Sequence, residues 1–332
     1  MSRARRTRRI RLASAGALLC ALAVGTLPAT AHATAGSPGS AGTPGSAGSA
    51  GSAAAALLRQ HPRAPYGTTA IRQIPLQGAV NVRDLGGYRT YTGGQVRQGL
   101  VYRSDALGKV TDADVATLAG LGLAKVVDFR IPLEVQYDGG DRLPAGLAVT
   151  SRPVSDLGLF GTLLTAIGSG DPVRQEAMLG GGRAEAYMRD IYRTFVTSAE
   201  NRAQFAATLR DLAAGGQGPL LFHCTSGKDR TGWLGYVLLR ALAVPEGTAA
   251  QDYLASNAFR GAYDARVREG LRQSGRMQNP DLLIPLQEVR QDYLDAATAQ
   301  LAADYGDFYG YLTRGLGLDL STLAKLHSRL VR

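Results

Sequence analysis

The chain has 332 residues, 45% hydrophobic and 19% charged, a balance that excludes disorder over most of its length. No stretch reaches the roughly 18 consecutive apolar residues of a spanning helix, and the 42 glycines follow no three-residue period, which excludes collagen. The formal charge of +10 misleads: beyond residue 33 there remain 31 basic against 27 acidic residues, too even for a nucleic-acid surface.

Residues 1–33 read as an address. Arg3, Arg5, Arg6, Arg8, Arg9 and Arg11 precede an apolar run from Leu12 to Leu27, and Ala31-His32-Ala33 follows as a small-x-small cleavage signal. That order is a secretory signal peptide, and it predicts a secreted or cell-surface protein after cleavage near Ala33. Arg8-Arg9 hints at the twin-arginine route, although Arg11 stands where an apolar residue is usual. Leu19 before Cys20 argues against a lipoprotein anchor. Residues 34–56 are Ala, Gly, Ser, Thr and Pro without charge. They bury too little apolar surface to offset their ordering entropy and read as a flexible linker. The folded domain then spans 57–332, and once Cys20 is removed Cys224 is its single cysteine.

Within that domain, Thr111 caps a helix with Val115, Leu118 and Leu121 on one face, ending at Gly122. Residues 124–129 (AKVVDF) are a short buried strand. Residues 155–182 mix Gly, Leu and single charges and read as a mobile excursion, a lid with short helices. Helical periodicity returns at 183–197 and 199–214 and is broken by Gly215-Gly216-Gln217-Gly218. Residues 219–222 are another buried strand. Helices are expected at 230–242, 247–257, 260–274, 284–304, 306–315 and 320–331. Strands alternating with helices give an α/β class with a helical C-terminal half.

The strand PLLF runs into His223-Cys224-Thr225-Ser226-Gly227-Lys228-Asp229-Arg230-Thr231-Gly232, and a helix follows. A phosphate monoester is a dianion and needs several inward donors. A short loop entering a helix N-terminus offers the N–H groups of Thr225 to Arg230 and the positive end of the macrodipole. Gly227 lets the backbone curl. Arg230 can place a planar fork on two phosphate oxygens. Cys224 lies at the floor of the same nest, where those donors favour a thiolate able to attack phosphorus in line and form a cysteinyl phosphate. Arg230 and the amides supply the charge stabilisation, so the expectation is no metal and no cofactor. Thr225, Ser226, Gly227, Lys228, Arg230 and Thr231 are the expected phosphate-binding residues.

The leaving oxygen needs an acid. The only tryptophan, Trp233, falls in the helix after the loop, so no Trp-Pro-Asp loop exists. Asp229 is the favoured candidate and Asp156 the second. Lys228 is either a solvated lysine or a contact to a second phosphate or to the leaving-group side of the substrate. His223 is expected to orient the cysteine through a ring hydrogen bond.

At these residues the chain resembles the tyrosine phosphatases related to mycobacterial protein-tyrosine phosphatase B. HCTSGKDRTG looks like their HCxxGKDRTG loop, and Asn81-Val82-Arg83-Asp84-Leu85-Gly86-Gly87 looks like their NxRD(L/V)GG motif. Val101-Tyr102-Arg103-Ser104, Val127-Asp128-Phe129-Arg130 with Glu134, Ala186-Tyr187-Met188 and Asp252-Tyr253-Leu254-Ala255-Ser256-Asn257 also have counterparts, as does the C-terminal YGDFYGYL. The resemblance covers roughly 74–330. It implies the cysteine-phosphatase α/β fold: a central, mostly parallel sheet flanked by helices, with a helical lid. It implies Cys224 as nucleophile, Arg230 as clamp and Asp229 as acid with Lys228 assisting, and it places Asp156 on a second aspartate near the acid. The implied partners are phosphotyrosine proteins, with phosphoserine, phosphothreonine or phosphoinositides acted on by some members.

Asn81, Arg83 and Asp84 are expected to brace the Gly-Gly turn. Arg103, Asp128, Arg130 and Glu134 are expected to form charge pairs orienting the loop, and Tyr187, Tyr253 and Tyr293 to pack. A phosphoinositide phosphatase is the main alternative, since a lysine in this loop also suits a multiply charged head group. An inactive phosphate-binding module is a second, opposed by the presence of Cys224, Asp229 and Arg230. Arsenate reduction would need further cysteines, and rhodanese-like sulfur transfer leaves Arg230 and Asp229 without a purpose.

Overall fold

A computed structural model describes residues 71–216 and 218–332. The expected signal peptide, the expected linker and the first residues of the expected domain lie outside the described residues. No helix among the described residues is long and apolar enough to cross a membrane.

Six strands form one mixed sheet: β1 (Arg72–Gln73), β2 (Arg83–Asp84), β3 (Val101–Ser104), β4 (Lys125–Asp128), β5 (Val149–Ser151) and β6 (Leu220–His223), in the order β1-β2-β3-β6-β4-β5. The β1–β2 and β2–β3 pairs are antiparallel. The β3–β6, β4–β6 and β4–β5 pairs are parallel. The central strand β6 is buried along its whole length, as an apolar run between two parallel neighbours should be. Its last residue, His223, is in register with Ser104 on one side and Asp128 on the other. Three chains therefore end side by side at the carboxyl edge, where open α/β sheets place their crevice.

Helix α1 (Asp112–Gly120) is capped by Thr111 with Asp114 in reciprocal position, as its sequence predicts. Helices α2 (Pro132–Asp138), α3 (Leu159–Ser169) and α4 (Pro172–Leu179) follow. The expected excursion at 155–182 thus folds as two helices, the second capped by the Asp171 side chain on Val173 N–H at 2.9 Å. Helices α5 (Arg183–Thr197) and α6 (Ala199–Ala214) have the bounds their periodicity gives. Helix α7 (Arg230–Ala241) leaves the loop after β6. Helices α8 (Glu246–Leu254) and α9 (Ser256–Gln273) meet at Ala255, so the boundary expected near 257–260 lies earlier.

The continuous helix expected at 284–304 is a correction. A 3₁₀ turn (Pro280–Leu283) runs into α10 (Ile284–Gln287), the chain is extended at Arg290, and α11 (Gln291–Tyr305) starts anew. The Asn257 amide explains the break. It donates to Val289 C=O and accepts from Val289 N–H, both at 2.8 Å, replacing the helical partners of that residue. The stretch expected at 306–315 is likewise divided, into α12 (Phe308–Gly310) and a π turn (Tyr311–Gly315), before α13 (Leu320–Leu330).

The core between sheet and helices holds Phe129, Phe195, Phe205 and Phe222, all at most 1% exposed. Phe129 packs edge-on against Phe205 at 5.6 Å and against Phe222 at 6.1 Å. Its own N–H donates to His223 C=O at 2.9 Å, so it fixes the two strand ends that carry the crevice. Phe129→Ala is expected to cost about 3–5 kcal/mol of stability, read as a lower urea midpoint with an unchanged slope.

Candidate active site

The loop from Cys224 to Asp229 is shaped by what holds its carbonyls. Thr225 C=O accepts from Ala106 N–H at 3.1 Å. Ser226 C=O accepts from the Asn81 amide at 3.1 Å and from Arg260 at 3.3 Å. Gly227 C=O accepts from Asn81 at 3.0 Å and from Arg103 at 2.8 Å. Every one of these donors stands outside the loop. A planar trans peptide points its N–H opposite to its C=O, so the N–H groups of Ser226, Gly227 and Lys228 turn inward. None of the three meets an acceptor among the described residues. Gly227 sits at φ +62°, and a Cβ there would lie 2.3 Å from Ser104 O. Both facts require glycine.

The donors are themselves braced. Arg83 and Arg103 are fully buried and share Asp252, at 3.1 Å and 2.6 Å, and Tyr88 Oη donates to the same carboxylate at 2.8 Å. Burial pushes Asp252 up, but the two guanidiniums outweigh it and hold the carboxyl down at about 2. Asn81 Oδ1 accepts from Arg83 at 2.5 Å. The expected brace of the Gly-Gly turn is therefore corrected in part. Asp84 accepts from Gly86 N–H and Gly99 N–H, each at 2.7 Å, whereas Asn81 and Arg83 serve the loop.

Cys224 lies beneath the loop and is 1% exposed. His223 Nδ1 is 3.3 Å from Cys224 O, and its Nε2 is 2.9 Å from Asp141. Burial disfavours the imidazolium, but Asp141 and then Asp128 outweigh it, and the His223 pKa is raised. Arg130 bridges Asp128 and Asp141, at 2.8 Å and 3.0 Å. Asp128, Asp141 and His223 have a metal-like spacing, but that guanidinium already occupies the space between the carboxylates.

Arg230 opens helix α7. Its terminal fork meets Glu134 at 2.6 Å and 2.5 Å, and the outer side of Nη1 faces the carbonyls of Phe129 and Val154 at 3.3 Å and 3.4 Å. The edge these bonds leave is Nε–Nη2. Burial opposes the charge of Arg230, but Glu134 and then Cys224 outweigh it, so its pKa lies above the ordinary value. Glu134 also accepts from Thr225 Oγ1 at 2.6 Å, locking loop and arginine to one carboxylate.

Asp229 accepts from Tyr192 Oη at 3.0 Å and lies 2.9 Å from Lys228 Nζ. Lys228 is 2% exposed, not solvated, and its ammonium also reaches Glu288 C=O at 3.3 Å. Asp156 stands at the entry to α3, where its carboxylate accepts from Gly158 and Phe160 N–H, both at 2.9 Å. Thr231 is buried at the start of α7. Tyr253 and Tyr293 pack in the core, and Tyr187 donates to Leu157 C=O at 2.6 Å. A cup of about 80 Å³ collects Glu134, Asp156, Thr225, Ser226, Asp229 and Arg230.

The sequence did not single out Asp141, Tyr192, Arg260 or Glu288. Each is an ordinary helix or loop residue whose contact comes from 30 to 100 or more residues away in the fold. Asp252 was noted only for its family counterpart.

A strand-loop-helix oxyanion cup over a buried cysteine, closed by a paired arginine, defines a cysteine-phosphatase type of site. The tyrosine phosphatase family model matches residues 74–332, and the chain belongs to that family. A Cupriavidus necator protein that bears the tyrosine-protein phosphatase name provisionally is 34% identical over 250 residues, 73% of this chain and 84% of its own. The triple specificity protein phosphatase PtpB of Mycobacterium tuberculosis is 31% identical over 283 residues, 79% of this chain and 99% of its own. A tyrosine-protein phosphatase of Nostoc commune is 28% identical over 238 residues, 69% and 73% respectively.

The folded pKa of Asp252, about 2, lies below an unfolded value near 3.9. Its ionisation therefore adds stability that is present above about pH 4 and lost as pH falls toward 2. Asp252→Asn should lower stability at pH 7 by on the order of 3–5 kcal/mol, because two buried cations lose their partner. That deficit should shrink between pH 4 and 2, measured by denaturant unfolding across that range.

Proposed function

We infer that the protein hydrolyses phosphotyrosine esters of proteins by way of a cysteinyl phosphate. The observation that carries this reading is the inward set of amide donors above Cys224, met by the free Nε–Nη2 edge of Arg230. The phosphate oxygens take the Ser226, Gly227 and Lys228 N–H groups and that edge, which puts phosphorus over the sulfur. The Cys224 thiolate forms the S–P bond as the P–O bond to the phenol breaks, and Asp229 gives its proton to the leaving oxygen. Water then attacks phosphorus with Asp229 taking its proton, the S–P bond breaks, and inorganic phosphate leaves with Cys224 restored. Glu134 keeps Arg230 charged and aligned throughout. Lys228 and Tyr192 are positioning residues for Asp229.

Asp156 suits the acid role less well, because its carboxylate caps α3 through the Gly158 and Phe160 N–H groups, whereas Asp229 is held within the loop itself by the side chains of Tyr192 and Lys228. The phosphoinositide alternative asks Lys228 to meet a head group. Here that ammonium is turned to Asp229 and the Glu288 carbonyl, which favours a protein substrate. The name of the Mycobacterium tuberculosis relative, a triple specificity protein phosphatase, supports a substrate range wider than phosphotyrosine. The arginine-rich start, apolar run and Ala31-His32-Ala33 support export.

Cys224→Ser is expected to abolish turnover of p-nitrophenyl phosphate while phosphate still protects the fold in thermal unfolding; residual turnover would remove the nucleophile assignment. Asp229→Asn should slow phenyl phosphate by about 10²-fold or more and an activated aryl phosphate by less than tenfold. An equal loss on both moves the acid role to Asp156. With charge stabilisation coming from Arg230 and the amides, the wild-type rate should persist in excess EDTA.

A further inference from the structure

The small cup does not stand alone. A groove of about 370 Å³ begins at Thr225 and Ser226, the same loop residues that edge the cup, and shares the Phe160, Leu163 and Leu286 walls with it. Its apolar lining is made by those three side chains with Ile167, Val267 and Leu283. Lys109, Arg260 and Arg266 line it as well, with Asp105, Asp138 and Asp264. Three cations and three carboxylates thus balance in formal charge. Arg260, the cation nearest the loop, is itself spent on Asp264 at 2.6 Å, Asp105 at 3.7 Å and the Ser226 carbonyl. Lys109 Nζ lies 3.5 Å from Tyr263 Oη.

A second phosphate or a flanking carboxylate needs a surplus of positive charge to offset its desolvation. The groove has none. An apolar side chain needs only an apolar wall, and burying one contributes about 1.5–3 kcal/mol. The phenol ring leaves the cup along the shared Phe160, Leu163 and Leu286 walls, so the side chain next to the phosphorylated residue is offered the farther walls, Ile167, Val267 and Leu283.

We propose that the groove along α3, α9 and α10 receives a large apolar side chain adjacent to the phosphorylated residue, so that the preferred substrates are phosphopeptides with leucine or phenylalanine next to the phosphotyrosine. This selectivity rests on the phosphatase reading above and refines it. The groove discriminates against acidic flanks and against a second phosphate, because either would strand a charge on the apolar wall or compete with Asp105 and Asp264 for Arg260.

The test is kcat/KM on matched phosphotyrosine peptides that differ only in the flanking residues: leucine, alanine, glutamate or a second phosphotyrosine. Leucine is expected to exceed glutamate and the doubly phosphorylated peptide by about tenfold or more. Val267→Asp, with Val267→Ser as the milder variant, should bring leucine and glutamate to within about twofold, each peptide being normalised to p-nitrophenyl phosphate in the same variant. Equal rates on all peptides, a preference for the acidic or doubly phosphorylated one, or a leucine preference that survives both variants would overturn the proposal. A wild-type protein inactive on p-nitrophenyl phosphate would instead overturn the phosphatase reading itself.

Discussion

A peptide unit cannot turn its carbonyl and its N–H to the same side, and the site depends on that constraint. The carbonyls of Thr225, Ser226 and Gly227 are each drawn outward by a fixed donor. Three amides are thereby left facing a dianion's position at the start of a helix whose dipole adds to their field. No side chain of the loop creates this arrangement. It is imposed by Asn81 just before β2, Arg103 of β3, Ala106 just beyond β3 and Arg260 of α9.

Holding such donors in place requires burying several arginines, and the fold solves that cost by sharing carboxylates. Asp252 serves Arg83 and Arg103 together. Asp141 serves Arg130 and His223. Glu134 serves Arg230 and the Thr225 hydroxyl. Buried ion pairs add little net stability over apolar packing, so these networks are better understood as fixing geometry than as strengthening the fold. The apolar centre around Phe129, Phe205 and Phe222 carries the stability, and its contact with the strand ends joins the two tasks.

The family and the strand-loop-helix setting of the candidate site were legible in one decapeptide, because strand, cysteine, glycine, arginine and helix start all lie within a local stretch. The two long helices at 183–214 were equally legible from their periodicity and from the glycine-rich break at 215–218. What escaped was tertiary in origin. Nothing in 284–304 itself announces a break, since Asn257 imposes it from another helix. Lys228 looks like a surface lysine until Asp229 and the Glu288 carbonyl surround it. Asn81 and Arg83 stand next to a Gly-Gly turn in sequence, yet Asn81 reaches the loop carbonyls and Arg83 braces Asn81 and Asp252 instead of the turn. The groove beside the cup draws its walls from three helices and could not be assembled from any one segment.

The interruption before α11 has a consequence for how this scaffold can diverge. By engaging Val289, Asn257 releases the neighbouring Glu288 carbonyl toward Lys228, and Lys228 in turn sets the surroundings of Asp229. A substitution at Asn257 would thus alter the surroundings of Asp229 from a remote helix, without replacing any residue of the loop that carries Cys224 and Arg230.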